Sequence, residues 1–170
     1  FGRVVLMQDR RDDTFVALKI MQKQTIVDMD ASEKVQQERR LLRGLRHPFI
    51  CELYATFQDQ HCLYMAMEFL RGGELFTLID RLGGSLSVED TKFYAAPLVS
   101  ALEYLHRQHV VYRDVKTENV VLDNSGYPLL VDFGFAKRLA GNSGITFTIC
   151  GTPEFLAPEV IMGSGHGTTS

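Results

Sequence analysis

Long hydrophobic runs are absent from this sequence of 170 residues. No apolar run approaches the roughly 18 residues of a membrane-spanning helix, so we expect no transmembrane segment. Charged residues at Arg3 and between positions 9 and 13 do not fit a secretory signal peptide. With 45% hydrophobic and 23% charged residues, the composition excludes a disordered, collagenous or coiled-coil chain. The length predicts one large domain or two small lobes.

Cysteine is scarce, and its three positions, Cys51, Cys62 and Cys150, are odd in number and widely spaced. This pattern does not predict a disulfide framework. His47 and His61 lie near the first two cysteines, but no CxxC unit supports a zinc site. We therefore favour reduced thiols in a cytoplasmic protein.

An excess of positive charge is also missing, because 18 basic residues face 21 acidic ones and the net charge is −3. Residues 1–70 carry ten basic and ten acidic side chains, whereas residues 71–170 carry eight and eleven. A nucleic-acid partner normally requires a basic excess, so we expect none. The acidic second half favours a basic peptide partner.

The hydrophobic pattern predicts strands at the start of the chain, helices at the start of the second half, and short strands and turns from Val110 to Asp132. Predicted strands cover residues 3–7, 14–20 and 62–70, and predicted helices cover residues 32–45, 74–81 and 87–107. Ser32 and Ser87 are expected to be the N-cap residues of the two longer helices. Pro97 should kink the last helix.

Three patterns predict which side chains face the core. In the strand at 14–20, one face carries Phe15, Ala17 and Lys19, and the expected core face carries Val16, Leu18 and Ile20. The apolar stripe of the helix at 32–45 is Val35, Leu41, Leu42 and Leu45, with Glu38 close to it. The stripe of the helix at 87–107 is Ala95, Leu98, Leu102 and Leu105.

Charged side chains are concentrated in Tyr112-Arg-Asp-Val-Lys-Thr-Glu-Asn119, and Asp132-Phe-Gly134 follows thirteen residues later. Mg²⁺ prefers carboxylate and carbonyl oxygens together with substrate phosphates, and Asn119 and Asp132 supply such oxygens. Asp114 would then orient an attacking hydroxyl. Lys116 would neutralise phosphate charge.

These segments resemble the signature motifs of the protein kinases. The motifs are Val16-Ala-Leu-Lys19, Glu38, Tyr112-Arg-Asp114 with Asn119, Asp132-Phe-Gly134 and Ala157-Pro-Glu159. The resemblance implies an α+β, two-lobed kinase fold, in which a small β-rich N-lobe with one regulatory helix (residues 1–70, with the hinge) precedes a mainly helical, incomplete C-lobe (residues 71–170). Tyr112 in place of histidine and the segments 132–137 and 150–159 are similar to the AGC serine/threonine kinases, nearest to the cyclic-nucleotide-dependent ones.

Two departures from the family pattern concern the ends of the chain. Of the glycine-rich loop only Gly2 is present, and the sequence ends eleven residues after Glu159. We therefore expect the chain to cover about two-thirds of a kinase domain. Thr117 stands where the family usually has proline.

The resemblance implies a role for each candidate site residue. Lys19 holds phosphates and is held by Glu38, Asp114 accepts the hydroxyl proton, Lys116 contacts the γ-phosphate, and Asn119 and Asp132 bind magnesium. Residues implied to bind ATP are Gly2, Val4, Ala17, Lys19, Met67, Glu68, Leu70, Glu74, Glu118, Asn119, Val121 and Asp132.

Further residues are implied to position this site. Leu42, Leu53, Tyr112 and Phe133 resemble the apolar column that joins the lobes. Thr148 resembles the activation-loop phosphosite, with Arg113, Lys137 and Lys34 as candidate cations; Lys34 has the alternative of pairing with Glu38 or solvent. Thr152 is expected to bond Asp114 and Lys116.

The implied function is ATP- and Mg²⁺-dependent phosphorylation of serine or threonine in a basic sequence context. Glu74 and Glu118 match positions at which this subgroup holds substrate arginines. A cyclic-nucleotide-binding regulatory domain or subunit is the implied partner. The alternative is a non-catalytic scaffold that binds nucleotide or partners only.

Overall fold

The computed structural model describes residues 2–10, 13–139 and 144–170. The strands are β1 (Gly2–Gln8), β2 (Phe15–Gln22), β3 (Leu53–Gln58), β4 (Cys62–Glu68), β5 (Gly73–Glu74), β6 (Val110–Val111), β7 (Val120–Leu122), β8 (Pro128–Leu130) and β9 (Lys137–Arg138). The helices are α1 (Lys23–Asp28), α2 (Ser32–Gly44), α3 (Leu75–Arg81), α4 (Val88–Arg107) and α5 (Pro158–Ile161). Within these ranges, no helix has the length and apolar character needed to cross a membrane.

The first four strands form one antiparallel sheet in the order β1-β2-β4-β3. The register pairs Val4 with Lys19 and Ala17 with Met67. Because directly paired residues of antiparallel strands share a face, these four side chains lie on the same face of the sheet. Met21, two residues beyond Lys19, is fully buried in the main core.

The face assignment for β2 is therefore partly wrong. The face toward α2 and the main core carries Lys19 and Met21, whereas Leu18 is buried on the opposite face in a groove with Tyr54 and Ala66. The predicted strand ended at residue 20, so the prediction of its core face did not include Met21.

Helix α2 packs its apolar stripe, Val35, Leu41 and Leu42, into the core beneath the sheet, as predicted. Its cap differs from the expectation: Ala31 occupies the N-cap position without a side-chain hydrogen bond, and Ser32 is the first helical residue. A preceding helix explains this, because the Ala31 N–H is already bonded to the Ile26 carbonyl of α1 at 2.9 Å.

Helix α4 begins as predicted, because the Ser87 hydroxyl accepts a hydrogen bond from the Asp90 backbone N–H at 3.0 Å. The helix runs through Pro97, and its buried residues are Pro97, Ala101 and Leu105. Leu98 and Leu102 are partly buried beside this row, but Ala95 is exposed. The predicted stripe therefore holds for Leu98, Leu102 and Leu105 and is wrong at Ala95, and Pro97, predicted only to kink the helix, belongs to the buried row.

Two connections join the small sheet β5-β7-β8 to the N-terminal half. Leu130 of β8 donates to the Phe49 carbonyl at 2.9 Å and accepts from the Cys51 N–H at 3.0 Å. The predicted column, Leu42, Leu53, Tyr112 and Phe133, is buried within one continuous core. The segment between α2 and β3 is therefore hydrogen-bonded both to β8 and, through Glu52, to the end of β4.

Candidate active site

Lys19 and Glu38 form an ion pair, with 2.6 Å between Nζ and Oε1. Strand β2 supplies the lysine and the buried stripe of α2 supplies the glutamate. Glu38 is only 5% exposed, and a buried carboxylate requires such a cationic partner. Lys19 Nζ also lies 4.0 Å from Asp132 Oδ1, so one ammonium connects α2 with the turn after β8.

Asp132 lies in a tight turn in which its own φ is +55°. Its Oδ1 accepts a hydrogen bond from the Gly134 N–H at 3.0 Å. A Cβ at position 134 would lie 3.1 Å from this same oxygen, which accounts for glycine there. The carboxylate is therefore held toward Lys19 while about half of the side chain, 53%, stays exposed to solvent.

Asp114 is the centre of a hydrogen-bonded network after β6. Its carboxylate accepts from the Thr152 N–H at 3.0 Å, from the Thr152 hydroxyl at 2.8 Å and from Asn119 Nδ2 at 2.7 Å. Lys116 Nζ lies 3.2 Å from its second oxygen. Burial alone would raise the pKa of Asp114, but the bonds from Thr152, Asn119 and Lys116 outweigh it and lower the pKa below its usual range. Asp114 is consequently ionised at neutral pH.

Asn119 is oriented by the same network. Its amide nitrogen donates to both the backbone carbonyl and the carboxylate of Asp114, at 2.9 and 2.7 Å, so its amide oxygen points the other way. The Asn119 carbonyl accepts from the Val131 N–H at 3.0 Å, which brings the loop next to Asp132. An amide oxygen and a carboxylate on adjoining loops form a donor set that fits Mg²⁺.

Two buried rings hold these loops together. Tyr112 and Phe133 meet edge to face with their centroids 5.1 Å apart. The Tyr112 hydroxyl donates to the Val131 carbonyl, and burial raises the pKa of this phenol well above its usual range, so it remains a donor. Asp114 lies two residues after Tyr112, and Asp132 lies immediately before Phe133. The packed rings therefore hold the backbone next to both carboxylates.

Several residues predicted to bind nucleotide lie on the four-stranded sheet and on the β5–β7 pair. Val4, Ala17 and Met67 share the sheet face of Lys19, and Val121 pairs with Glu74 between β7 and β5. A Cβ on Gly2 would lie 2.5 Å from the Ile20 carbonyl oxygen, so that position requires glycine.

Glu68 and Leu70, at the predicted hinge, differ in the backbone groups that they can offer to a ligand. The Glu68 N–H already donates to the Glu52 carbonyl at 2.9 Å, so only the Glu68 carbonyl can serve a ligand. The complementary donor would be the Leu70 N–H, as the sequence predicts. Glu118 is exposed and accepts from the Thr117 hydroxyl at 3.2 Å.

The predicted phosphosite, Thr148, is exposed. Arg113 reaches it through Nη1, 3.5 Å from the Thr148 carbonyl, and donates to the Phe135 carbonyl at 2.7 Å through Nε. Lys137 bonds instead to the hydroxyl of Thr146, at 2.9 Å. Lys34 lies over the Phe135 ring, 3.8 Å from its centroid. Joint binding of a Thr148 phosphate by the three cations therefore remains a prediction.

Two contacts in this region were not predicted. Thr146 and His166 form a two-way backbone bridge of 2.9 and 2.8 Å, and both residues are buried. Gln37 Nε2 donates to the Ala136 carbonyl at 2.8 Å. Neither contact had a local sequence signal, because each joins residues that are far apart in the chain.

Comparison with known proteins identifies what the chain is similar to. The family model "Protein kinase domain" matches residues 1–170. The chain is 46% identical over 167 residues, 98% of its length, to the "cAMP-dependent protein kinase catalytic subunit" of Dictyostelium discoideum, of which it covers 25%. It is 47% identical, also over 98% of its length, to the "cAMP-dependent protein kinase catalytic subunit PRKX" of Mus musculus, of which it covers 46%. The chain thus spans less than half the length of these relatives.

The Asp114 network makes a prediction about protonation. Thr152→Val removes the hydroxyl bond without changing side-chain volume, so the pKa of Asp114 should rise. Because the native pKa is depressed, the network stabilises the fold above the unfolded-state pKa of Asp114 and ceases to do so as pH falls through the folded-state value. Carboxyl ¹³C NMR titration of the full-length protein measures the pKa. Thr152→Ser, which keeps the hydroxyl, is the control; an unchanged pKa in Thr152→Val would contradict the assignment.

Proposed function

This chain belongs to the protein kinase domain family, and on that premise we propose that the full-length protein transfers the γ-phosphoryl group of ATP to serine or threonine residues of protein substrates. The observation that carries the proposal is the connected set of three charged groups: Glu38 paired with Lys19, and Lys19 next to Asp132. Phosphoryl transfer depends mainly on positioning and charge stabilisation, which is what such a set supplies.

Each charged residue has a distinct task in the proposed reaction. Asp114, ionised and held by three side chains, orients the substrate hydroxyl and accepts its proton. Lys19 and Lys116 stabilise negative charge on the phosphates. Asn119 and Asp132 would hold Mg²⁺, which neutralises charge on the phosphates when it is bound. Thr152 keeps Lys116 beside Asp114, because its hydroxyl accepts from Lys116 Nζ at 2.8 Å.

The nucleotide would bind under the face of the sheet that carries Lys19. In the proposal, Val4 and Ala17 cover the adenine, Val121 lies below it, and Met67 lines the pocket behind it. The Glu68 carbonyl and the Leu70 N–H bond its edge. Glu74 is next to Val121 in the β5–β7 register, which favours a ribose contact.

A basic peptide is the proposed substrate class. Glu74 and Glu118 are both exposed, and residues 71–170 carry three more acidic than basic side chains. Because the relatives are named cAMP-dependent kinases, we extend the proposal to a cyclic-nucleotide-binding regulatory domain or subunit as a partner.

Transfer should depend on the charge of Asp132 and not on that of Asp123. Each carboxylate accepts backbone N–H bonds in a turn, and asparagine keeps an accepting oxygen at both positions. Asp132→Asn should lower kcat/KM for a serine peptide with arginines before the acceptor by about 100-fold or more. Asp123→Asn should change it by less than about twofold.

Kinetic assays with magnesium and full-length protein measure both variants. Equal losses would indicate a structural effect of the substitutions. Preference for acidic or proline-directed peptides would contradict the substrate class. If the full-length wild-type protein binds nucleotide but transfers no phosphoryl group, this result would favour the non-catalytic scaffold alternative.

Phosphorylation should occur on Thr148 and not on Thr146. Thr148 is exposed, whereas Thr146 is 4% exposed and its hydroxyl is bonded to Lys137. Thr148→Ala should lower kcat about tenfold, because it removes the charge-assisted bonds that a phosphate makes with cations such as Arg113. Phosphopeptide mass spectrometry and kinetics check this, with Thr148→Ser as the rescuing variant. Phosphate on Thr146 in place of Thr148 would show that the loop register is wrong.

A further inference from the structure

We propose that Gln37 is a positioning residue that holds α2, and with it Glu38, against the turn that carries Asp132. This inference rests on the proposed phosphoryl transfer, because its consequence is the placement of two groups of that site. It concerns a residue outside the motifs from which the site was identified.

The contact itself is a single, well-defined hydrogen bond. Gln37 Nε2 lies 2.8 Å from the Ala136 carbonyl oxygen. A carbonyl can only accept, so the amide of Gln37 must present its NH₂ group there. Gln37 is adjacent to Glu38 in sequence, and Ala136 follows Asp132 by four residues. The bond therefore links the residue next to Glu38 to the turn that contains Asp132.

The acceptor lies on a rigid piece of backbone. The Ala136 N–H closes a turn by donating to the Phe133 carbonyl at 3.0 Å, and both residues are almost fully buried. The next residue, Lys137, pairs with Val111 between β9 and β6. Because the Ala136 carbonyl is fixed from both sides, the bond constrains the helix more than it constrains the turn.

A second contact lies one helical turn earlier on the same side of α2. Lys34 Nζ is 3.8 Å from the centroid of the Phe135 ring, a cation–π geometry. Positions 34 and 37 are three residues apart, so their side chains are neighbours on the helix surface. Two successive residues of the turn, Phe135 and Ala136, are thus in contact with one face of α2.

Lys19 closes the arrangement from the opposite side. Its ammonium lies 2.6 Å from Glu38 and 4.0 Å from Asp132, so charge attracts the same two elements that Gln37 joins by a directional bond. The apolar stripe of α2 holds the helix in the core, and the directional bond at the residue next to Glu38 adds a constraint on rotation of the helix about its axis. For this reason we expect the bond to affect catalysis through Glu38.

A mutant cycle distinguishes this role from a general effect on stability. In the full-length protein, Gln37→Met, which keeps the length but removes the donor, should lower kcat/KM about fivefold. At 1.36 kcal/mol per factor of ten this is about 1 kcal/mol, the size of one neutral hydrogen bond. In a Glu38→Gln background, the same change should cost less than about twofold, because the residue through which Gln37 acts is already altered.

Gln36→Met is the matched control, because Gln36 is the neighbouring glutamine and is exposed. It should change kcat/KM by less than about twofold in both backgrounds. Equal losses from Gln37→Met in both backgrounds, or no loss in the wild type, would overturn the proposal.

Hydrogen–deuterium exchange supplies a readout that does not require activity. Backbone amides of α2 should exchange several times faster in Gln37→Met than in Gln36→Met, because the bond that holds the helix against the rigid turn is lost. Unchanged exchange would contradict the link between helix and turn. Inactive wild-type protein with the expected exchange difference would instead reject only the proposed phosphoryl transfer.

Discussion

The ion pair between Lys19 and Glu38 is the interaction on which the arrangement of the site depends. Glu38 is buried on the core side of α2, and a carboxylate there is tolerated only with a cation in contact. Strand β2 supplies that cation from the face of the sheet that α2 covers. Since Lys19 is also near Asp132, correct packing of one helix against one sheet brings together residues more than a hundred positions apart.

The loop that carries Asp114 is held in place by a different kind of interaction. Asp114, Asn119 and Lys116 are held by short hydrogen bonds with one another and with Thr152, and two buried rings fix the backbone on both sides. Helix α2 contacts the turn after β8 at its edge, through Gln37 and Lys34. The site therefore combines a hydrogen-bonded loop cluster with a helix that packs its apolar stripe in the core and meets the loops along one edge.

The sequence predicted those features that local pattern or motif spacing determines. The mixed α+β class, the stripe of α2 and the Ser87 cap were predicted from the sequence, and the structure agrees with them. The errors arose where tertiary context decides. The Ser32 cap failed because α1 supplies the carbonyl that orders Ala31, and the stripe of α4 was wrong at Ala95 because Pro97 lies in the buried row instead. Contacts such as Gln37 with Ala136, 99 residues apart, have no local signature.

A mutant cycle on the ion pair tests the central claim most directly. Lys19→Met should lower kcat/KM of the full-length protein about 100-fold or more, because one charge-stabilising contact to the phosphates is removed. If Lys19 and Glu38 act as one unit, adding Glu38→Gln to Lys19→Met should cause almost no further loss. Losses that multiply in the double variant would contradict the account, because they would show that the two residues act independently.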